Sequence, residues 1–315
     1  MHYLSKLAFV FALILSLSLM DSLGAQADDP IIGRWDLNLS NAEYHYPSWL
    51  EVTLSGRKTL VGRFVHNGGS ARPISEVKKK NGVYHFSIPI QWEIKGDDMA
   101  FEINLSDNKL SGFLLAPDGS RHTLSGVRAP KLHYIENPSW GAPISLFNGK
   151  DLSGWQASGK NQWVVEGGIL KSPKPGSNLI SDQKFMNFKV HAEFRYPENG
   201  NSGLYLRGRY ETQIADNKGE DPSSILFGGI YGFLTPSEIV AGEPGEWQSF
   251  DITLIGNRVT VVANGKSVIT DQIIPGITGG ALDSNEGAPG PLMIQGDHEP
   301  VEFRSIVVIP LVEKD

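Results

Sequence analysis

The feature that most limits the possible fold is a repeated pattern of short extended segments. Runs rich in Val, Ile, Phe, Tyr, Trp and Thr are interrupted throughout the chain by turn-forming pairs. Pairs that favour the tight turns of antiparallel hairpins are Asn67-Gly68, Asn81-Gly82, Asp118-Gly119, Asn199-Gly200 and Asn264-Gly265. No stretch of a dozen residues keeps a helical period, and the best short helical candidates are residues 180–185 and 236–240. The pattern predicts an all-β protein with little helix.

The 315 residues suffice for two domains at roughly 100 to 200 residues per domain. Residues 28–131 contain seven or eight candidate strands, including one at 91–94, with short sequential connections that favour an up-and-down barrel. Residues 132–142 contain Pro138 and no alternation, which indicates a linker. Residues 143–315 contain about a dozen candidate strands, enough for two packed sheets.

The two ends of the first unit resemble those of lipocalin-like and avidin-like barrels. The resemblance is carried by Gly33-Arg34-Trp35 at the start and by Val127-Arg128 at the end. It implies that Trp35 seals one mouth of the barrel and that Arg128 stacks on its ring.

The first 27 residues have the features of a secretory signal peptide. Lys6 precedes an apolar run over residues 7–20, and Ala25-Gln26-Ala27 is a small-x-small cleavage pattern. The run is shorter than the roughly 20 residues that span a bilayer. We therefore expect a mature protein that begins at Asp28, is secreted or periplasmic, and does not insert into a membrane.

Composition excludes several classes of partner and chemistry. Asp plus Glu number 35 against 28 Lys plus Arg, so the formal charge is -7, which argues against nucleic acid as a partner. The chain has no cysteine, which excludes disulfides, thiolate sites and a lipidated N-terminal cysteine. Any catalysis must use oxygen and nitrogen groups.

Polar side chains gather on one face of three candidate strands in the second unit. These sets are His191, Glu193 and Arg195, then Tyr205 and Arg207, then Glu211 and Gln213. If consecutive strands pair, the three sets would line one groove suited to a sugar, which needs planar donors, carboxylates and rings. The alternative is a solvated sheet face that carries ordinary cross-strand ion pairs.

Residues 143–311 resemble the 3-keto-disaccharide hydrolase domain family. Among the motifs that carry the resemblance are ISLFNGKDLSGW from residue 144, GNSGLYLRGRYETQIAD from residue 200 and PGPLMIQGDHEPVEFRSI from residue 289. The resemblance implies a concanavalin A-like jelly roll. It also implies a carbohydrate substrate whose glucose ring has been oxidised to a ketone at position 3.

Such a ketone acidifies the neighbouring carbon, so that a base can form an enolate, which expels the glycosidic oxygen. The site needs a base, a group that stabilises the enolate and a proton donor. We assign Glu211 as the base, Arg195 or a bound cation as the enolate stabiliser, and His298 or Asp297 as the donor. The assigned substrate-binding residues are Glu193, Arg195, Tyr205, Arg207, Gln213, Tyr231, Trp247 and Gln295.

Other interpretations of these residues stay open. Tyr231 and Trp247 could stack on a sugar or pack in the core, and His298 could be a surface hydrogen bonder. No ligand pair has a spacing diagnostic of a metal, so a divalent cation is possible but no cofactor is indicated.

Two alternative functions also remain. Glu211 and Asp216 have the spacing of the outer carboxylates in laminarinase-type retaining glycosidases, but would share a face only if a bulge intervened. A non-catalytic, lectin-like protein is the third possibility, because the fold alone does not assign chemistry. The sequence leaves open the aglycone, the linkage, the choice between hydrolase and lyase, the oligomeric state and the role of the first domain.

Overall fold

The computed structural model describes residues 29–91 and 93–312, and this part of the chain is built from twenty-two β-strands. No helix is assigned in these two ranges. The described residues accordingly contain no helical segment that is long and apolar enough to cross a membrane. The predicted signal peptide, residues 1–27, lies outside the described residues and stays a prediction.

The first eight strands close into an antiparallel barrel in which each strand pairs with its neighbours in sequence and β8 pairs back onto β1. They are β1 Gly33–Ser40, β2 His45–Ser55, β3 Thr59–Val65, β4 Arg72–Lys80, β5 Val83–Ile88, β6 Met99–Ser106, β7 Lys109–Leu115 and β8 Arg121–Arg128. Alternate residues are buried because side chains on a strand point in and out in turn. The predicted up-and-down topology is confirmed.

One end of the barrel is sealed in the way that the sequence predicts. The guanidinium carbon of Arg128 lies 3.8 Å from the centroid of the buried Trp35 ring. The Trp35 indole also donates a hydrogen bond of 2.9 Å to the Ile31 carbonyl. The predicted stacking of Arg128 on Trp35 is therefore confirmed, and the opposite end of the barrel is formed by the loops after β1, β3, β5 and β7.

The remaining strands form two antiparallel sheets that pack face to face as a jelly-roll sandwich. The strands are β9 Ser139–Trp140, β10 Ile144–Ser145, β11 Trp155–Ala157, β12 Val164–Glu166, β13 Ile169–Ser172, β14 Leu179–Phe185, β15 Phe188–Arg195, β16 Asn201–Leu206, β17 Tyr210–Ala215, β18 Gln248–Ile255, β19 Arg258–Ala263, β20 Lys266–Ile273, β21 Gly290–Ile294 and β22 Val301–Val312. The larger sheet has the order β12-β13-β22-β15-β18-β19-β20, with β9 and β10 also paired to β22. The smaller sheet has the order β11-β14-β21-β16-β17.

Several local predictions were wrong. Residues 180–185 are not helical but belong to β14, which pairs with β21, and residues 236–240 are irregular, with bends at 237 and 238. Of the strand predicted at 91–94, the described residues 91, 93 and 94 are not in a strand. The linker predicted at residues 132–142 stays a prediction; it carries β9, whose Trp140 is the register partner of Leu311 in β22. Pairing with the distant strands β21 and β22 decides the structure of residues 180–185 and of β9, and a local pattern does not report that pairing.

The barrel and the sandwich share a packed interface. Trp49, on β2 of the barrel, is fully buried within the hydrophobic core of the sandwich and meets Phe233 edge to face, with ring centroids 5.3 Å apart. Its indole occupies the place that a side chain at Gly276 would need. Arg34 of β1 donates a hydrogen bond of 2.9 Å to the Pro275 carbonyl. The barrel therefore packs directly against the sandwich, with Trp49 inserted into the sandwich core.

The same interface buries a pair of carboxyl groups, Asp36 from the barrel and Glu286 from the sandwich. Burial, followed by the charge of Glu286, raises the pKa of Asp36 to about 8, and burial also raises the pKa of Glu286. Tyr210 donates a hydrogen bond of 2.9 Å to Glu286, and the positive charges of Arg34 and Arg207 act on the pair. Two carboxyls held together in this way are stable when they share a proton.

This pair predicts that stability decreases as the pH rises. The folded pKa of Asp36 lies above the ordinary value of 3.8. Between about pH 4 and about pH 8 the folded state therefore holds a proton that the unfolded chain has already lost. We expect Asp36→Asn, which stays neutral, to lose about 1–3 kcal/mol less stability than the wild type between about pH 5 and about pH 8. Chemical denaturation at several pH values measures this difference, with the exposed Asp98→Asn as the control. Equal losses in Asp36→Asn and the wild type would contradict the shared proton.

Candidate functional site

The site lies where the outer face of the smaller sheet meets the barrel. On β16 and β17, Leu204, Leu206 and Ile214 point into the sandwich core. Tyr205 and Glu211, which are register partners, therefore point the other way. They line a cavity of about 390 Å³, which we call the junction cavity. Its lining is Asn67, Gly68, Gly69, Asn201, Tyr205, Glu211, Gln213, Tyr231, Gly279, Gly280, Gln295, Asp297 and His298.

Glu211 is the buried carboxyl group of the junction cavity. Its Oε2 lies 2.9 Å from the Tyr205 hydroxyl, and its backbone N–H donates to the Thr278 hydroxyl at 3.0 Å. Burial raises the pKa of Glu211 to about 8, although the charge of His298 acts in the opposite direction, as would a hydrogen bond that Tyr205 donated to the carboxylate. A carboxyl group with this pKa can both donate and accept a proton near neutral pH.

The surroundings of Tyr205 support a protonated Glu211. The Tyr205 hydroxyl lies 2.8 Å from the Gly279 carbonyl, which can only accept, and 2.9 Å from Glu211. A hydroxyl has one proton to donate, so both contacts are satisfied when Tyr205 donates to Gly279 and Glu211 donates to Tyr205. The hydrogen-bond pattern and the raised pKa thus agree.

A glycine makes room for the Glu211 carboxyl. A Cβ at Gly203, on the neighbouring strand β16, would collide with Oε1 of Glu211. The carboxyl therefore lies over the backbone of β16, in the space that a side chain would otherwise fill. This packing keeps it buried.

Asp297 and His298 form the rim of the cavity, in the turn after β21. Asp297 Oδ1 lies 2.7 Å from His298 Nδ1, and this hydrogen bond is the main cause that raises the pKa of His298. The charge of Glu211 acts on His298 in the same direction. Among the described residues that line the junction cavity, His298 is the one side chain that can carry a positive charge. A protonated His298 would face the region above Glu211.

Two amide side chains offer acceptors to a ligand. Gln213 donates a hydrogen bond of 3.0 Å to Asn201, but its Oε1 is buried and has no partner among the described residues. The Oε1 of Gln295 is in the same state. Buried acceptors without partners are costly. Both side chains line the junction cavity, and a rotation of either amide would bring its oxygen to a hydroxyl group of a ligand there.

The barrel supplies part of this site, which sequence reasoning missed. Asn67, Gly68 and Gly69 belong to the loop between β3 and β4, and they line the junction cavity. The Asn67 carbonyl accepts a hydrogen bond of 2.8 Å from the Gly280 N–H, and Gly69 lies against Gly279 so closely that a Cβ there would clash. The pair Asn67-Gly68 was recognised in the sequence as a turn, but a turn signal does not report what the turn contacts.

A family profile described as the 3-keto-alpha-glucoside-1,2-lyase-like domain matches residues 142–309, which include the sandwich residues of this cavity. The match covers more than half of the chain. The chain belongs to this family. The matched residues span the sandwich, from β10 to most of β22.

Known relatives resemble parts of the chain. A 3-keto-disaccharide hydrolase from Bacteroides thetaiotaomicron is 30% identical over 96 residues, which are 26% of this chain and 32% of the relative. The match thus spans about a third of that relative. A crystal structure of a candidate glycosyl hydrolase from Parabacteroides distasonis is 28% identical, covers 56% of this chain and 93% of its own, and has a TM-score of 0.46. A second from the same organism is 24% identical, covers 54% and 100%, and has the same TM-score.

Four of the residues assigned from the sequence lie outside the junction cavity. Glu193 and Arg195 are on β15, which belongs to the larger sheet and pairs with β18 and β22 rather than with β16. Glu193 binds Arg304 at 2.7 Å, and Arg195 binds Glu302 at 2.5 Å. Trp247 is covered by Arg195 and Arg304 at 4.7 and 4.6 Å. The proposed enolate role of Arg195 was therefore wrong, because its ion pair lies on the other sheet.

Arg207 is the fourth residue outside the cavity. It follows β16 in a left-handed turn, with a φ of 54°, which directs its side chain away from the face of Tyr205. The guanidinium is buried and donates to the Tyr210 hydroxyl at 2.8 Å and to the Gly256 carbonyl at 3.0 Å. Arg207 therefore has a structural position beside the interface carboxyl Glu286.

The laminarinase-type alternative lacks its second carboxylate. β16 and β17 pair without a register shift, so no bulge brings Asp216 onto the face of Glu211. Asp216 instead accepts a hydrogen bond of 2.9 Å from the Asn199 N–H. Within residues 29–91 and 93–312, no group of three or more His, Cys, Asp or Glu residues is arranged to hold a metal ion.

The contact between Gly203 and Glu211 gives a direct test of the site geometry. In Gly203→Ala the added methyl group should displace the carboxyl from its buried place, so that its pKa falls from about 8 toward the ordinary 4.5. Carboxyl-carbon NMR with labelled glutamate measures this titration, with Glu211→Gln to assign the signal.

Gly287→Ala is the matched control, because a Cβ there meets only Pro130 at ordinary contact distance. We expect it to leave the Glu211 titration unchanged. A Glu211 midpoint near 8 in Gly203→Ala would contradict the packing argument.

Proposed function

We propose that the protein cleaves the glycosidic bond of 3-keto glycosides in the junction cavity. The observation that carries the proposal is Glu211, a buried carboxyl with a raised pKa, beside the imidazole of His298. Strongly perturbed groups that share a cavity are typical of active sites. A lectin has no need of such a group, since sugar binding requires no proton transfer.

The proposed reaction starts at the carbon between the ketone and the anomeric carbon. Glu211, once ionised, removes the proton from this carbon, and the bonding electrons form an enolate with the ketone oxygen. The enolate then collapses and breaks the bond between the anomeric carbon and the glycosidic oxygen. A proton is delivered to that oxygen, which leaves as an alcohol. Addition of water to the unsaturated sugar completes a net hydrolysis.

The raised pKa of Glu211 affects this step in two ways. A carboxylate with a pKa of about 8 is a stronger base than an ordinary one, and it is ionised in only a minority of molecules at neutral pH. His298, with its pKa raised by Asp297, supplies the positive charge or the proton that the enolate and the leaving oxygen need. His298 replaces Arg195 in the role of enolate stabiliser.

The uncharged polar side chains that line the junction cavity suit a sugar ring. The amides of Gln213 and Gln295 line the cavity and can turn their unpartnered oxygens toward sugar hydroxyls, and Tyr231 offers an aromatic ring that lines the same cavity. These contacts hold the ring so that the reacting carbon faces Glu211.

The test is a mass-spectrometric assay with an aryl 3-keto-glucoside and, beside it, the unoxidised glucoside. We expect cleavage of the keto substrate alone, and a loss of about 10²- to 10⁴-fold in Glu211→Gln. Glu193→Gln is the matched control, because this carboxylate pairs with Arg304 on the other sheet and should leave the rate unchanged.

Each product pattern has a distinct meaning. An unsaturated sugar, lighter than the hydrolysis product by one water, identifies a lyase, whereas the saturated keto sugar identifies a net hydrolase. Cleavage of the unoxidised glucoside, or full activity in Glu211→Gln, would contradict the proposed reaction.

A further inference from the structure

The open end of the barrel contains a second cavity, of about 630 Å³, which we call the mouth cavity. The loops after β1, β3, β5 and β7 form it, and its wall includes Tyr44, Tyr46, His66, Ser120 and His122. Small-molecule sites in proteins have volumes of roughly 300 to 1,000 Å³. The mouth cavity is therefore large enough for a sugar unit.

A chain of hydrogen bonds runs through this wall. The Tyr46 hydroxyl lies 3.1 Å from His66 Nε2 and 3.3 Å from His122 Nδ1. His122 Nε2 lies 3.0 Å from the Ser120 hydroxyl. The second ring nitrogen of His66, Nδ1, has no hydrogen-bond partner in the part of the chain that the structure describes. One nitrogen of His66 is thus held by the protein and the other is left for a ligand.

His66 offers the mouth cavity a hydrogen-bond donor and an acceptor without a charge. Burial, and then the charge of Arg72, lower the pKa of His66 to about 4, so its ring is neutral at neutral pH. A neutral imidazole has one donor and one acceptor, as a hydroxyl group has.

Charged residues on the wall are of both signs. Asp118 and Glu43 face the cavity together with Lys95 and Arg121, and Glu93 is paired with the buried Arg72 at 2.8 Å. Such a lining gives no strong field of one sign that would select an ionic ligand. It suits neutral hydroxyl groups, which also donate and accept.

The two cavities adjoin through a single residue. Asn67 lines both the mouth cavity and the junction cavity, and its carbonyl is fixed to Gly280 of the sandwich at 2.8 Å. The preceding residue, His66, faces the mouth cavity, and the following residues, Gly68 and Gly69, face the junction cavity. The junction cavity and the mouth cavity are therefore neighbours on either side of Asn67.

We propose that the mouth cavity binds the neutral sugar on the leaving side of the cleaved bond, so that a 3-keto disaccharide or a longer glycoside spans both domains. This inference rests on the proposed function, since it assigns the keto ring to the junction cavity. It gives the barrel a role in choosing the aglycone.

The kinetic test compares two substrates, a 3-keto disaccharide and an aryl 3-keto-glucoside. In His66→Phe, which keeps a ring but removes both nitrogens, the ratio of the KM for the disaccharide to the KM for the aryl glucoside should rise about fivefold, the effect of one lost hydrogen bond. His85→Phe is the same change outside both cavities, on β5, and should leave the ratio unchanged.

A second variant covers the case in which His66→Phe does not fold. Ala42→Trp places a bulky ring at an exposed position on the cavity wall and removes no buried contact. We expect it to raise the same KM ratio by steric exclusion. An unchanged ratio in the variants that fold would overturn the proposal.

A binding measurement separates this proposal from the proposed function. Titration of the protein with unoxidised glucose disaccharides, followed through the imidazole NMR signals of His66 and His122, does not depend on turnover. Saturable shifts that persist in Glu211→Gln and disappear in Ala42→Trp would support the subsite even if no 3-keto glycoside is cleaved. The absence of shifts with every disaccharide, together with an unchanged KM ratio, would overturn it.

Discussion

The burial of one carboxyl group, that of Glu211, is the constraint on which the site depends. Its space is created by Gly203 on one side, and its proton is held by a tyrosine hydroxyl that is already committed to a backbone carbonyl. Water would stabilise the charged carboxylate and return its pKa to the ordinary range. The basicity of Glu211 therefore depends on close packing over β16.

The barrel helps to provide this enclosure. Trp49 reaches into the core of the sandwich, and the loop from Asn67 to Gly69 closes one side of the junction cavity. A glycine on the sandwich side, Gly279, lets the two backbones approach, where any larger residue would hold them apart. The two domains thus form one site, with the shared proton of Asp36 and Glu286 at their interface.

The sequence predicted what depends on neighbouring strands and missed what depends on distant ones. The stacking of Arg128 on Trp35, which the resemblance to lipocalin-like barrels implied, is present because β1 and β8 pair where the barrel closes. Tyr205, Glu211 and Gln213 face one cavity because β16 and β17 form a hairpin. Glu193 and Arg195 were misplaced because β15 joins the other sheet, and the contribution of Asn67 could not be predicted because domain docking leaves no periodic signal in the chain.

The pH dependence of kcat/KM on a 3-keto glycoside tests the central claim most directly, because it reports the ionisation of the free enzyme. In His298→Gln, where the second titrating group of the site is absent, kcat/KM should rise tenfold for each pH unit below about 8 and then level off if Glu211 acts as the base, and the rise should be absent when Glu211→Gln is added. A profile of His298→Gln that is flat or falls between about pH 6 and about pH 8 would show that ionised Glu211 is not the base.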